Sequence, residues 1–423
     1  MSGTRIVVTG VGVVSPLAVD ATSHFDRMLA GESAVETLDD AAYRNYPPLL
    51  RARVRQFDRR QLIPDRMLRK LLSPSPAFAL AAATEALRDA GMSGAAEATD
   101  CGLYIGSVCL DADPEAFIPA LRESIDATDQ VDLSRFAAHG IKLIDPLFLV
   151  KSLPNAGLCA IAIQHQTLGP NANITNGSVS GLQAIISAMS ALRRGEAEMA
   201  LAGGYDSLLR MDSIVDHLLA GRLADARFAP QQACRPFDRR RSGYALSEGA
   251  AFLVLETLGH ARARQASLYG ELIASGQSAV PSNLLAQERE HEGLTACARQ
   301  TLCAGGGMPP DLIFGDGLAN EVDDEREVRT CQALFGDEAV PLTAFTGSFG
   351  FPGAATGAFA LVHAMLSMRR GVVPPTINCD EPVVDRHLDL VREPRETALR
   401  RVLVWTSDRG IKNASVLAEA VDN

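Results

Sequence analysis

The chain has 423 residues, with 40 lysines and arginines against 51 aspartates and glutamates, and a formal net charge of −11. This length exceeds the roughly 250–300 residues at which one hydrophobic core stops growing, so we expect at least two cores. The acidic balance argues against non-specific binding of nucleic acid, which depends on neutralising phosphates with basic side chains.

The cysteines and the N-terminus indicate where the protein resides. The eight cysteines are scattered and form no Cys-x-x-Cys pair, which predicts neither a zinc or other metal site nor a disulfide framework. The N-terminus before Ile6 lacks the basic and apolar regions of a signal peptide, and no apolar run approaches the roughly 18 residues of a membrane span. We therefore expect a cytoplasmic protein without a membrane span.

Short β-branched runs alternate with helical stretches, a pattern that predicts a largely parallel α/β sheet. The turn-rich stretch that begins at residue 257 predicts a boundary between two halves, residues 1–256 and 257–423. In chain order, the predicted elements are a strand at Ile6–Thr9, a helix at Ala77–Ala90, and strands at Met199–Ala202, Phe252–Leu255, Leu312–Phe314 and Val402–Trp405.

An internal repeat predicts that the two halves are related. Residues Gly181–Gly195 match Gly357–Gly371 at a constant offset of 176, and seven of the fifteen positions are identical. Both segments are apolar around their circumference until a terminal Arg-Arg-Gly, and a helix without a polar face is expected to be buried on every side. The alternative is a chance similarity between alanine-rich helices. We favour a duplicated domain in which each half contributes one central helix.

Two short motifs suggest other chemistry but do not fit it. Gly10 and Gly12 after the first strand are similar to the start of a dinucleotide-binding loop, but Ser15 occupies the place of the third glycine. The segment Gly177–Gly181 is similar to a G-x-S-x-G nucleophile elbow, but its middle residue is Val179.

A family resemblance covers nearly the whole chain. Residues 5–33 resemble the opening segment of the β-ketoacyl-acyl-carrier-protein synthases, or ketosynthases. The stretch from Arg235 to Ala250 resembles that family's R-P-F-D-x-x-R-x-G-(F/Y)-x(3)-E-G-A motif, and Val373–Asn378 resembles its I-P-P-T-x-N motif. The resemblance implies the thiolase fold, an α/β fold whose two duplicated halves pack as a five-layer αβαβα sandwich.

The resemblance also implies that the family's reacting side chains are replaced here. The nucleophilic cysteine of the family's T-A-C-x-S-G motif corresponds to Ser178, and a serine hydroxyl needs a base to match a thiolate as nucleophile. The first catalytic histidine corresponds to Asp316, which lacks the ring N–H that donates to the thioester oxygen in the family. The family's lysine and second histidine correspond to Phe345 and Gly350. We therefore expect no catalytic residue of the family's kind.

A charged residue also occupies the family's gate loop. The family's G-F-G-G-x-N loop, whose phenylalanine gates the acyl pocket, matches Asp408–Asn413 and places Arg409 at the gate. An arginine is not expected to form an apolar flap over a fatty chain.

This pattern resembles one branch of the family, the chain length factors or KSβ subunits of type II polyketide systems. The resemblance implies a noncatalytic subunit that forms a heterodimer with a catalytic ketosynthase. It would shape the acyl tunnel while the pair condenses malonyl units delivered on an acyl carrier protein. No cofactor of its own is implied, because phosphopantetheine arrives on the carrier protein. Such pairs make aromatic polyketides, polyenes including aryl polyenes, and specialised fatty acids.

An alternative stays open because Ser178 departs from that branch, many of whose members carry glutamine at this position. The chain would then be a homodimeric acyltransferase with Ser178 as the nucleophile and Asp316 or a water as the base.

Simpler structural roles are also expected. Ser178 at a helix start is predicted to cap that helix, and Asp316 to be a hydrogen-bonded loop carboxylate. None of the eight histidines falls at a family catalytic position, so we expect them at the surface or in packing. The basic stretch Arg51–Lys70 predicts either a solvated face or a patch for an acidic partner or for the carrier protein and its phosphopantetheine.

Overall fold

The computed structural model describes residues 3–40, 43–92, 100–108, 114–281, 291–383 and 388–421. The strands in these ranges are β1 (Ile6–Val14), β2 (Glu36–Thr37), β3 (Leu50–Ala52), β4 (Gly102–Gly106), β5 (Asn171–Ile174), β6 (Met199–Ser207), β7 (Leu246–Thr257), β8 (Gly270–Ala279), β9 (Leu312–Phe314), β10 (Pro341–Thr343), β11 (Val372–Val373), β12 (Asp389–Leu390), β13 (Arg395–Glu396), β14 (Arg401–Asp408) and β15 (Lys412–Glu419).

The α-helices are distributed along the whole chain, with three short 3₁₀ turns at Pro114–Phe117, Gly140–Leu143 and Gly353–Ala355. They are α1 (Ala21–Leu29), α2 (Arg59–Leu62), α3 (Arg66–Leu71), α4 (Pro74–Asp89), α5 (Ile118–Ser124), α6 (Leu133–Ala138), α7 (Phe148–Ser152), α8 (Ala156–His165), α9 (Ser180–Arg193), α10 (Met211–Leu219), α11 (Pro230–Ala233), α12 (Leu258–Ala263), α13 (Glu292–Ala304), α14 (Glu321–Phe335), α15 (Thr346–Phe349) and α16 (Thr356–Arg370).

The two sheets repeat one strand order. The first runs β5-β4-β6-β7-β1 and the second runs β10-β9-β14-β15-β8, with β12 added outside β10. In each sheet the first two pairings are parallel and the last two are antiparallel. A short β1–β8 pairing joins the sheets. The order and orientation of the strands therefore show the duplication that the sequence repeat predicts.

Helices α9 and α16 form a layer between the sheets. Helix α9 packs on β4 and β6 and reaches β15, while α16 packs on β7 and β14. The two helices approach closely, because a Cβ atom added to Gly357 would lie 2.7 Å from the Cβ atom of Leu182. The predicted burial on every side holds for α16 through Ser367, but α9 keeps a half-buried polar stripe at Gln183, Ser187 and Ser190.

The outer layers complete the sandwich. Helix α4 packs on β1 and β7 of the first sheet, and α13 packs on β8 and β15 of the second. Gly10 and Gly12 allow the close packing of α4, since a Cβ atom at Gly12 would lie 2.0 Å from the Ala82 carbonyl oxygen. Both glycines lie within β1, which extends to Val14, whereas the predicted strand ended at Thr9. The five-layer α/β architecture is confirmed, whereas the division at residues 256 and 257, near the end of β7, stays a prediction.

Candidate active site

Ser178 lies between strand β5 and the central helix α9. The turn before it needs a glycine, because Gly177 has a φ of +75° and a Cβ atom there would lie 2.2 Å from a carboxylate oxygen of Asp408. Val179 is the N-cap residue and α9 begins at Ser180. The chain thus keeps a tight strand-to-helix turn that holds residue 178 at the N-terminus of a buried helix.

The Ser178 hydroxyl is engaged with the main chain. It donates to the carbonyl oxygen of Ser407 at 3.1 Å, and only 6% of the residue is exposed. The prediction that Ser178 caps α9 is wrong, since no side chain caps this helix. The side chain of Ser180 instead donates to the Gly177 carbonyl and accepts from the Asn176 amide.

Asp316 lies on the other side of the same peptide segment. One of its carboxyl oxygens accepts from the Ser407 N–H at 2.7 Å, while the Ser407 carbonyl accepts from Ser178. The other carboxyl oxygen, Oδ1, is buried without a hydrogen-bond partner in the described residues. Asp316 is therefore not the fully hydrogen-bonded carboxylate that the sequence predicts. The structure brings Asp316 and Ser178 together only through the backbone of Ser407.

Burial changes the protonation of Asp316 and its neighbours. The loss of solvent raises the pKa of Asp316 well above its usual range, and the nearby Glu327 carboxylate raises it further. Burial also raises the pKa of Glu327 to about 7, although this side chain accepts from the Trp405 indole at 2.8 Å. The surroundings of Asp316 therefore favour its neutral form. Its carboxyl contacts the Ser407 N–H and not the Ser178 hydroxyl, so Asp316 is not placed to take the proton of Ser178 directly.

Phe345 and Gly350 have structural surroundings of their own. The Phe345 ring stacks on Phe349 with 4.7 Å between ring centroids and meets the edge of His363 at 5.2 Å. Gly350 has a φ of +74°, and a Cβ atom there would lie 2.5 Å from the Ala245 carbonyl oxygen. Neither residue is among the described residues that line the cavity beside Ser178. Of the four replaced positions, only residue 178 faces this cavity.

A cavity of about 590 Å³ opens beside Ser178, and charged side chains form much of its wall. Its described lining residues include Gly177, Ser178, Asp206, Leu208, Asp212, Ser213, Asp216, His217, Arg222, Tyr244, Leu318, Asp323, Phe351, Asp408, Arg409 and Lys412.

Arg409 contributes a polar wall where the sequence resemblance places a gate. Its guanidinium pairs with Asp216 of α10 at 3.3 Å, and its backbone has a φ of +56°. Lys412 pairs with Asp408 at 3.2 Å and lies 3.4 Å from the Asn176 carbonyl oxygen. The Arg409–Asp216 ion pair therefore links the loop after β14 to α10, and the Lys412 contact with the Asn176 carbonyl links it to the turn before Ser178.

His217 is a residue of this cavity that the sequence analysis misses. Its Nδ1 atom lies 3.0 Å from the Tyr244 hydroxyl, and burial lowers the pKa of His217 to about 4. The ring is therefore neutral at pH 7. No family motif marks position 217; the one available signal is its partner Tyr244, which belongs to the motif that begins at Arg235. His217 also packs against the rings of Tyr244 and Phe351, so the expectation of a packing role holds beside its place in the cavity wall. His387 lies outside the described residues.

The described residues contain no group of three or more histidine, cysteine, aspartate or glutamate side chains able to hold a metal ion. In the same part of the chain, every helix is too short or too polar to cross a membrane.

Comparisons with known proteins fit this arrangement. Residues 3–261 match the β-ketoacyl synthase N-terminal domain and residues 281–380 match the β-ketoacyl synthase C-terminal domain. The chain is 29% identical to a 3-oxoacyl-acyl-carrier-protein synthase 2 of Coxiella burnetii over 100% of both chains. It is also 29% identical to the actinorhodin polyketide β-ketoacyl synthase 2 of Streptomyces coelicolor over 97% of this chain and 98% of that one.

Solved structures show the same fold. The ishigamide ketosynthase/chain length factor superposes with a TM-score of 0.86 at 23% identity over 100% of both chains. A type II polyketide synthase ketosynthase, solved in complex with its acyl-carrier protein, gives the same TM-score, identity and coverage. With both family domains matched in order along one sequence, the chain belongs to the β-ketoacyl synthase family.

Proposed function

We propose that this chain is a noncatalytic, chain-length-factor-like subunit of a heterodimeric ketosynthase in the cytoplasm. One observation carries the proposal: the Ser178 hydroxyl donates to the Ser407 carbonyl, while Asp316 is buried behind the same peptide and accepts from the Ser407 N–H. An unassisted hydroxyl is a poor nucleophile, and a carboxyl that does not contact it is not placed to take its proton. The partner would supply the nucleophilic cysteine and both histidines.

The polarity of the cavity supports the same assignment. A fatty or polyketide chain gains free energy by leaving water for apolar surface, at about 25 cal/mol per Å². Next to Ser178 the acyl chain would instead meet the Arg409–Asp216 and Lys412–Asp408 ion pairs. Removing water from these charged groups is costly. We infer that the growing chain is held by the partner, and that this subunit shapes the far end of the tunnel. A carrier protein would deliver the malonyl units on its phosphopantetheine.

Strand β5 supports pairing with a second thiolase-fold chain. It ends the path of hydrogen-bonded strands, and among the described residues it pairs with β4 alone. An open strand edge is a template for another strand. The segment between β4 and β5 also exposes many large apolar side chains: Ile118, Leu121, Ile125, Val131, Leu133, Ile141, Leu143, Leu147, Val150, Leu153, Ile163 and Leu168.

An apolar surface of this extent next to an open edge is typical of an obligate interface. We therefore expect the isolated chain to be poorly soluble or to form weak homodimers, and the catalytic partner to cover both features. A stable, monodisperse monomer at micromolar concentration would contradict this part of the proposal.

Co-expression with an intact ketosynthase encoded beside this chain tests the proposal. We expect the two chains to co-purify, and condensation products to form only when both are present. Mass spectrometry of the products would also distinguish aromatic polyketides, polyenes including aryl polyenes, and fatty acids. Full condensation activity of the partner without this chain would contradict the proposed role.

One observation favours the alternative, a homodimeric acyltransferase: Ser178 and the neutral His217 line the same cavity. A neutral imidazole can accept a proton as a general base. The two functions separate on one measurement, the incubation of the purified chain with a radiolabelled acyl donor. Stable label on Ser178, lost in Ser178→Ala, would establish the alternative; absence of label supports the noncatalytic role.

A further inference from the structure

Three arginines of the basic stretch share one face of an extended segment. Arg51, Arg53 and Arg55 alternate with apolar residues, and alternate side chains of an extended chain point to the same side. Glu36 faces Arg51 directly across the β2–β3 pair. All three guanidinium groups reach this glutamate, with nitrogen-to-oxygen distances of 3.1 Å from Arg51 and 3.0 Å from Arg53. The segment therefore presents a row of arginines around a single carboxylate.

This cluster has an excess of positive charge. Three guanidinium groups and one carboxylate sum to +2, and the repulsion is visible in the lowered pKa of Arg51, which burial and the charge of Arg53 both depress. Asp39, Asp40 and Glu248 act on Arg51 in the opposite sense. In the described residues the ion pairs of Arg53 and Arg55 are with Glu36 alone. The charge of these two arginines is therefore the least compensated.

Arg53 and Arg55 face a cavity. It has a volume of about 260 Å³, and its described lining includes Arg27, Arg53, Arg55 and Glu36, with Ser15 and Ser33 among the polar residues. At ~30 Å³ for each water molecule, this volume corresponds to about nine waters. Arg27 joins the rim while it pairs with Glu32 at 2.6 Å. The site thus offers several guanidinium groups in a space large enough for a phosphate group.

We propose that the cavity between Arg27, Arg53 and Arg55 binds a phosphate group, either as inorganic phosphate or as a phosphate ester. Guanidinium groups bind phosphate oxygens through paired, charge-assisted hydrogen bonds, and more than one arginine can contact the same group. The bound anion neutralises the excess charge around Glu36.

Other members of the basic stretch are engaged differently or lie elsewhere. Arg59 donates to the main-chain carbonyls of Leu72 and Ser73, and Arg69 donates to that of Ile63, so both fix local backbone. Arg60 and Arg66 are exposed and lie outside the described lining of the cavity. These last two provide a matched control of equal charge.

Calorimetric titration of the full chain, co-expressed with its partner where solubility requires it, tests the site at constant ionic strength. The probes are inorganic phosphate, phosphopantetheine and a carrier protein bearing the phosphopantetheine diester. We expect saturable binding of inorganic phosphate with a Kd of about 1 mM or tighter. The affinity should rise between pH 6 and pH 8, because the second proton of a phosphate dissociates near pH 6–7. The strongest of the three probes identifies the source of the phosphate.

Variants decide whether the cavity is responsible. The double variant Arg53→Gln and Arg55→Gln should weaken phosphate binding by at least about tenfold, because charge-assisted hydrogen bonds are lost. The double variant Arg60→Gln and Arg66→Gln should leave it unchanged. Glu36→Gln should tighten it, since the competing carboxylate is removed. Absence of saturation by about 20 mM phosphate, or equal losses in the two double variants, would overturn the proposal.

Discussion

The central helix layer and the cavity beside the N-terminus of α9 follow different rules. In the layer, small residues such as Ala184 and Ala360 are buried, and backbones approach so closely that Gly181 has no room for a side chain. The wall of the cavity, in contrast, carries Arg409, Asp216 and other charged groups. Close packing restricts the choice of residue at every position of the layer. In the cavity, the chemistry restricts this choice only at the positions that react.

The replaced positions show how the reaction centre can change without disturbing the fold. Phe345 fits among aromatic rings, and Gly350 fits against a carbonyl group where a Cβ atom has no room. Asp316 is buried, and this burial favours its neutral form. Each replacement is therefore accommodated locally. The scaffold of this chain and the family's reaction chemistry are separable.

The largest effect is expected at the exposed apolar surface between β4 and β5, which belongs to the scaffold. The double variant Ile163→Asp and Leu168→Asp should weaken the complex with the partner by more than about 100-fold, because buried charges oppose association. These side chains are 65% and 79% exposed in the isolated chain. Sedimentation or calorimetry of the purified pair measures the effect. Met308→Asp, at a similarly exposed site outside this segment, is the control; an equal loss there would contradict a localised interface.

The next effect concerns the helix layer itself. Ala184→Leu or Ala360→Leu should lower the free energy of unfolding by ~1–3 kcal/mol, because each adds three carbons to a close-packed layer. The denaturation midpoint of the co-expressed complex provides the measurement. Ala304→Leu, at the exposed end of α13, should change stability by less than about 0.5 kcal/mol. If all three variants share the wild-type midpoint, the central layer is not packed as described.

A smaller effect is expected from the protonated carboxyl of Asp316. Its folded-state pKa is raised, so its contribution to stability is present below the unfolded pKa and is lost as pH rises through the folded-state pKa. In Asp316→Asn no carboxyl ionises at this position, so this loss of stability with rising pH is absent. The stability of the variant relative to wild type should therefore increase as pH rises through the folded-state pKa of Asp316.

The difference between variant and wild type is the informative quantity in this experiment. Buried histidines such as His24 have lowered pKa values and contribute to the pH dependence in the opposite sense, but equally in both proteins. Chemical denaturation at several pH values gives the difference, and Glu338→Gln at an exposed site should show none. A difference that shrinks as pH rises would mean that Asp316 is ionised in the fold.

The sequence predicts the scaffold well because its constraints are local and repeated. The match between the two helix segments at an offset of 176 identifies the central layer, and motifs along the chain identify the family. Strand β1 is longer than predicted because Gly10 and Gly12 serve the packing of α4, a contact that no local pattern reveals.

The site is less predictable because it depends on long-range contacts. The sequence identifies Ser178 and Asp316, but not the Ser407 peptide that separates them, which lies 229 residues beyond Ser178. His217 escapes notice for the same reason, since its role follows from its neighbours in the cavity. The family motifs identify the four replaced positions. The fold is needed to show that Ser178 alone among them lines the cavity.

The most direct test of the account is the condensation rate of the reconstituted complex with Ser178→Ala. With the Ser178 hydroxyl donating to the Ser407 carbonyl and Asp316 bonded to the N–H of the same residue, the account predicts a rate within about twofold of wild type. Replacing the partner's nucleophilic cysteine should abolish condensation in the same assay. A drop of about 100-fold or more in Ser178→Ala, with the complex still assembled, would show that Ser178 takes part in the reaction and would contradict the noncatalytic assignment.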